Sequence, residues 1–473
     1  MVFSSIFFLL YFLPIFLLVY HFIDKKYKNY WILASSIFFY AWGAPKFIFV
    51  VLTAAIVDYS LVNKMHAVEN PTHKKRWLVF SLLLNLGLLA YFKYANFFIE
   101  NVNALLESMG MPAVAWTEIA LPIGISFYIF QSVTYAVDVY RGVNPPVKNF
   151  SHYLLFILSF PQMIAGPIVK FNHIAHQLAN RDETADDRLL GFYRFCIGLG
   201  KKVLIANVMA VYADRVLDGD LHAASSAMVW LGIGAYTFQI YFDFSGYSDM
   251  AIGLGRMIGF KFPENFNSPY LSGSISEFWR RWHMTLGGFM KEYLYIPLGG
   301  NRGVSKNRMF FNLGVVFLLS GLWHGASWNF ILWGAFHGLF LILDRLFLIK
   351  LLNKLGTVVS VVFTFLIVMV GWAIFRMENF EAMKLVLEKM FSFQSGAAIQ
   401  LSPEYWMILT VAVLFSIVTA FRFGKMAEQF FFHQETASVI GHLVLFAVAM
   451  VLLILSISGI AASGFNPFIY YRF

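Results

Sequence analysis

Apolar residues in this chain do not alternate with polar ones; they come in long unbroken runs. Many approach the ~20 residues that a helix needs to cross about 30 Å of hydrocarbon. The pattern predicts spans at 3–20, 31–42, 46–62, 77–95, 119–139, 151–169, 192–212, 226–250, 309–323, 326–347, 357–375, 405–421 and 437–461. Barrel strands would show segments of about 10 residues with strict alternation, which these runs lack. Lipid admits only helices or closed barrels, because every backbone polar group needs an internal partner. The fold class is therefore all-α: a polytopic membrane protein with about 11–13 membrane segments plus interfacial and re-entrant helices.

Two runs depart from an upright span. Residues 31–42 are too few to cross without tilt or local thinning. In 151–169, "FPQMIAGPIVK" brings two prolines and a glycine, predicting a broken or re-entrant helix that protein must cover. The longest polar stretch, 261–308, contains "SISEFWRRWHMTLGGFMKEYLYIPL", aromatic and cationic together as interfacial helices are. Ser274 and Glu277 have the form of a capping box, and Glu277 stands four residues before Arg281, the favoured ion-pair spacing. An amphipathic helix is expected from about Ser274, along or dipping into the cytoplasmic interface.

Composition agrees: 59% of the 473 residues are hydrophobic and 13% charged, against about 25% charged in soluble domains. The net charge of +9 lies in loops, where it reports orientation and anionic headgroups rather than nucleic acid. Lys25, Lys26 and Lys28; Lys64, Lys74, Lys75 and Arg76; Arg302, Lys306 and Arg308; Arg345, Lys350 and Lys354; and Arg422 with Lys425 form the basic clusters. Placing them in the cytoplasm puts the N-terminus outside. The first run follows no basic residue and precedes no small-residue cleavage site, so it reads as a retained helix rather than a signal peptide. Cys196 is the single cysteine, a small packing residue that leaves no disulfide or cysteine metal cluster. With no repeat or linker, residues 1–473 read as one domain.

Candidate chemistry centres on "SGLWHGASWNF", 320–330. A histidine between long apolar runs is costly and usually functional; alternatively, it packs against a neighbouring carbonyl. Gly321 and Gly325 flank His324 and are expected to thin the helix wall for a ligand. Ser320 and Ser327 stand where they could orient the ring if the helix continues. Imidazole can act as a general base near neutral pH or be acylated itself, and sequence leaves both open. Trp323 and Trp328 complete this candidate donor- or substrate-binding set. His283 is either an interfacial side chain or a hydrogen-bond partner for a ligand. Arg280 and Arg281 suit phosphates or an acidic carrier, or are ordinary cytoplasmic charge. Asp243, Asp249 and Glu277 are expected in structural ion pairs, with Arg256, Lys261 or Arg280 and Arg281 as partners for the aspartates. Glycines 246, 253, 255 and 259 suggest close helix packing. His337 reads as packing, and His173 with His176 lack a third ligand, so no metal is expected. "FSGYS" is not a hydrolase nucleophile elbow.

The segments "FYIFQSVTYAVDVYRG", "FPQMIAGPIVKF", "QIYFDFSGYSDMAIGLGRMIGFKFPENFNSPY", "SEFWRRWHMTL", "YIPLGGNRG" and "SGLWHGASWNFILWGAFHG" resemble the membrane-bound O-acyltransferase family. Within it they resemble the bacterial alginate O-acetyltransferase branch, whose relatives acetylate peptidoglycan or cellulose or D-alanylate teichoic acids. The likeness runs from "MVFSSIFFLLYFLPIF" to "NPFIYYRF" and is most specific over 236–338. It implies a crater-shaped bundle with a central tunnel, in which cytoplasmic and extracytoplasmic funnels meet at a thin wall. The invariant family histidine matches His324, and the second family position matches His283, which the resemblance implies could hydrogen-bond an acyl carbonyl or a pantetheine amide. The loop at 422–437 is short, whereas some alginate members carry a long low-complexity insertion near there. The resemblance implies an inner-membrane enzyme without a bound cofactor that carries acetyl from acetyl-CoA, or an acylated carrier, across the membrane. The acceptor would be an extracytoplasmic partner acetyltransferase or the polysaccharide itself, with 376–404 as a docking surface. The rival class is a transporter or flippase of an acyl donor, which also suits broken helices but would more often show two-fold repetition of its spans.

Overall fold

The computed structural model describes residues 2–163, 166–396 and 400–464, and helices dominate it. The closing "NPFIYYRF" motif, Ile164 and Ala165 of the broken segment, and 397–399 of the expected docking surface lie outside the described residues. Chain contacts divide the protein into two compact units. One holds Phe7–Glu183 and Ile258–Phe262; the other holds Phe3–Ile6, Thr184–Met257 and the chain from Pro263.

The first unit contains α1 (Phe8–Phe22), α2 (Lys28–Gly43), α3 (Phe47–Ala67), α4 (Pro71–Ser108), α5 (Ile125–Tyr140), α6 (Phe150–Leu158) and α7 (Phe171–Ala179). Asn70 starts α4 by accepting from the backbone N–H of Thr72 and His73, with Pro71 at the first helical position, where its missing N–H costs nothing. The helix runs well past the expected 77–95. The segment 151–169 is broken: α6 stops at Ser159, one short turn follows at Phe160–Met163, and the chain is non-helical from Gly166 to α7. Inside the unit, Asp58 accepts from Ser81, Asn85 and the Tyr153 hydroxyl. Thus α3, α4 and α6 share one buried carboxylate satisfied by neutral donors. Near its other polar cluster, Glu183 accepts from Tyr20 and Lys28.

The second unit contains α8 (Ala185–Leu217), α9 (Ser226–Met257), α10 (Ile275–Arg281), α11 (Met284–Phe289), α12 (Lys306–His324), α13 (Trp328–Leu343), α14 (Thr357–Arg376), α15 (Phe380–Ser392), α16 (Pro403–Ala420), α17 (Arg422–Phe432) and α18 (Val439–Ser463). Thr184 caps α8 with Asp186 and Asp187 in the first turn, complementing the positive end of the helix. Helices α8 and α9 touch backbone to backbone: a Cβ on Gly198 would stand 2.5 Å from the Gly246 carbonyl oxygen, and one on Gly253 2.5 Å from that of Gly191. Only glycine permits this approach. Among the described residues, six helices are long and apolar enough to cross a membrane: α3, α4, α8, α14, α16 and α18. The protein is an all-α, multi-pass membrane protein.

The carboxylates of Asp243 and Asp249 on α9 are paired with cations of α8. Asp249 accepts from Arg194 (2.9 Å) and Lys201 (2.7 Å), and Arg194 also grips Glu264 with both terminal nitrogens (2.7 and 2.6 Å). Asp243 pairs with Lys202 at 2.8 Å, both side chains only 2% exposed. The expected partners differ: the cations come from α8, while Arg256 bonds Asp187. A glycine-close helix pair brings its own polar side chains together before any loop residue can reach them.

Candidate active site

Helix α12 ends on His324 because Gly325 takes an extended conformation (φ −162, ψ 154). After three non-helical residues, α13 starts at Trp328 with Ser327 as its cap position. Ser327 therefore does not share His324's helix, and its hydroxyl contacts the Asn329 amide oxygen. Ser320 remains one turn before His324 and is buried. His337 belongs to α13, not to a continuation of α12.

The glycines do something other than open a path to the imidazole. A Cβ on Gly321 would lie 2.2 Å from the Phe330 carbonyl oxygen, and one on Gly334 2.3 Å from that of Phe317. A Cβ on Gly325 would lie 2.0 Å from the Phe330 ring. They let α12 and α13 pack in direct contact, so that the second helix returns beside the first and brings Trp333 to His324.

His324 is 9% exposed and lies among aromatic rings: Trp323 at 4.9 Å, Trp333 at 5.0 Å and Phe375 at 5.3 Å between centroids. Trp333 also stands 5.0 Å from His337, whose Nδ1 accepts from the Trp279 indole. Trp323 is the link to the second histidine, since its ring lies 6.1 Å from His283. The two imidazoles that the sequence singles out thus flank one buried indole.

His283 is 1% exposed and breaks the expected amphipathic helix. Helix α10 does start as the sequence suggests: Ser274 accepts from the Glu277 N–H, Glu277 accepts from the Gly273 N–H, and Arg281 pairs with Glu277 at 2.8 Å. It ends at Arg281, and His283 turns the chain with φ 46, ψ 52. A left-handed non-glycine residue is strained and persists only where its surroundings hold it. The hold comes from Asn265: its backbone oxygen accepts from Met284, and its side-chain oxygen faces His283 Nδ1 at 3.0 Å. Phe244 packs edge-on against the ring at 4.7 Å. This corner lies outside the long apolar helices, and burial pushes the His283 pKa down to about 3. The imidazole is neutral at working pH.

The other candidates sit around this centre unequally. Arg281 is occupied by Glu277 and the Asn267 carbonyl, while Arg280 is exposed. Trp323 is buried at 4% and Trp328 exposed at 56%. Asn265, Trp333, Phe375 and Phe244 escaped the sequence reading. Asn265 lies within the quoted "FPENFNSPY", but an asparagine in a loop carries no sign of its target 18 residues away. Among the described residues no three His, Cys, Asp or Glu side chains converge to hold a metal.

Fold and site together define an integral membrane protein with a buried, histidine-centred site among aromatic rings. Residues 37–379 match the membrane-bound O-acyltransferase family. The chain belongs to that family, and it is an acyltransferase. It is 44% identical over 415 residues to a protein of Azotobacter vinelandii named probable alginate O-acetylase AlgI, covering 88% of this chain and 83% of that one. A Pseudomonas putida protein of the same name is 40% identical over an alignment of 488 positions, with 100% of both chains covered. A Helicobacter pylori protein named peptidoglycan O-acetyltransferase is 36% identical over 439 residues, covering 85% of this chain and 82% of that one.

Proposed function

We propose that the protein transfers acetyl from a cytoplasmic thioester, acetyl-CoA in the first instance, across the bacterial inner membrane for O-acetylation of an exported or cell-wall polysaccharide. The reading rests on one observation above the others. His324 sits at the tip of α12 beside Trp323, in a chain that aligns end to end with a relative named for alginate O-acetylation. His324 takes the proton from an acceptor hydroxyl as its oxygen attacks the thioester carbonyl. The C–S bond breaks, and the proton passes to the departing thiolate, leaving an ester and a free thiol. The end of a helix carries partial negative charge that favours a cation beside it, and the aromatic walls keep water from competing as acceptor. The acceptor hydroxyl belongs to an extracytoplasmic partner enzyme or to the glycan. Arg280, exposed on the polar stretch, suits the phosphates of the donor.

Purified protein given acetyl-CoA and an oligosaccharide acceptor tests this. Release of free thiol in step with ester formation is the expected result. Failure with acetyl-CoA and with every acylated carrier tried would overturn the acetyl reading.

A further inference from the structure

The hydrogen bonds around Asn265 determine which nitrogen of His283 carries the proton. The Asn265 side-chain oxygen receives the Thr285 backbone N–H at 3.3 Å, and a backbone N–H can only donate. The amide is therefore oriented with its oxygen on that side, which leaves its nitrogen to donate to the Ser248 hydroxyl at 3.0 Å. The Thr285 hydroxyl donates to the same oxygen at 2.9 Å. His283 Nδ1, 3.0 Å from it, thus faces an acceptor and must bear hydrogen. The opposite nitrogen, Nε2, is fully buried and has no hydrogen-bond partner among the described residues. In a neutral imidazole it is then a lone pair. A buried acceptor left unmet is destabilising, and the strained turn at His283 adds to that. A buried group of this kind calls for a partner, and here a bound ligand can supply it.

We propose that Asn265 is a positioning residue that locks His283 in the neutral Nδ1–H tautomer, so that Nε2 accepts a hydrogen bond from an N–H or O–H of the bound substrate. This deepens the acyl-transfer reading and rests on it for the ligand's identity. It also narrows the expectation of an acyl carbonyl or a pantetheine amide for His283. A lone pair repels an acyl carbonyl, so the thioester C=O is not its partner. A pantetheine arm offers amide N–H groups, and the acceptor offers a hydroxyl. Because burial disfavours the imidazolium, His283 accepts the hydrogen bond without taking the proton, which leaves proton uptake to His324.

The test uses the full chain with 15N-labelled histidine, the His283 signals being those lost in His283→Ala. The wild-type spectrum should show a protonated Nδ1 and an unprotonated Nε2 throughout the neutral range. An Nε2–H tautomer or an imidazolium there would overturn the proposal, even if no Asn265 variant folds. Asn265→Leu should release the opposite tautomer, and Asn265→Asp, which keeps an acceptor oxygen, should restore the first. In transfer assays Asn265→Leu should raise KM roughly tenfold with a smaller change in kcat, as expected for one lost hydrogen bond. A rise for the thioester identifies its amide N–H as the partner; a rise for the acceptor identifies the hydroxyl. A switched tautomer with neither KM moved would refute the ligand contact. Wild-type protein inactive with every thioester would refute the proposed function, while the spectrum would still judge the tautomer.

Discussion

A single methyl group at Gly325 would collide with the Phe330 ring, its Cβ only 2.0 Å away. Overpacking of this kind typically costs about 1–3 kcal/mol, and here it acts on the residue next to His324. Gly325→Ala should therefore lower thermal stability in detergent and activity together. Phe330→Ala alone should be destabilising as well, by about 3–5 kcal/mol. Combined, the two should cost less than their sum by about 1 kcal/mol or more. Strict additivity in melting measurements would mean that Gly325 has some other role. The sequence made these glycines visible but not their purpose: a glycine beside a histidine looks alike whether it admits a ligand or a neighbouring helix. What decides is Phe330, five residues on, folded back by the break between α12 and α13.

At the scale of elements, the junction before α8 carries a testable charge. Burial alone would raise the Glu183 pKa, but Lys28 and Tyr20 hydrogen-bond the carboxylate and, with Arg181 nearby, hold it below the usual carboxylate range. A carboxyl held low stabilises the fold at pH above its unfolded value of about 4, and this contribution is lost as pH falls through the folded value. Glu183→Gln should lower stability near neutral pH by about 2 kcal/mol, between the limits for exposed and buried pairs. The penalty should shrink in acid; one that was constant with pH would sink the assignment. Helix positions were legible because apolar length and a cap such as Ser274 are local signals, whereas Asn70 and Thr184 cap α4 and α8 ahead of the apolar runs, so both helices start before the expected 77 and 192. The break at His283 was not, since no glycine or proline marks it and its cause is Asn265. Nor were the cations on Asp243 and Asp249, which come from α8 through contacts that only close helix packing creates.

Across the whole molecule, the basic clusters predict a definite topology. If each faces the cytoplasm and the broken segment 151–169 does not cross, both chain ends lie outside. A reporter fused after Phe473 should then read extracytoplasmic in intact cells. A cytoplasmic reading would mean that one span, 31–42 or 151–169, is miscounted. Topology bears on mechanism because the proposed reaction joins reagents from two compartments at one buried imidazole. Its most direct test is His324→Ala, compared with wild type for acetyl transfer at equal expression and equal thermal stability in detergent. Loss of a general base typically costs ~10²–10⁴ in rate. His324→Ala should fall at least that far, and His324→Asn should not recover it, because an amide cannot take up the hydroxyl proton. A stable His324→Ala protein that kept most of its transfer rate would contradict the account.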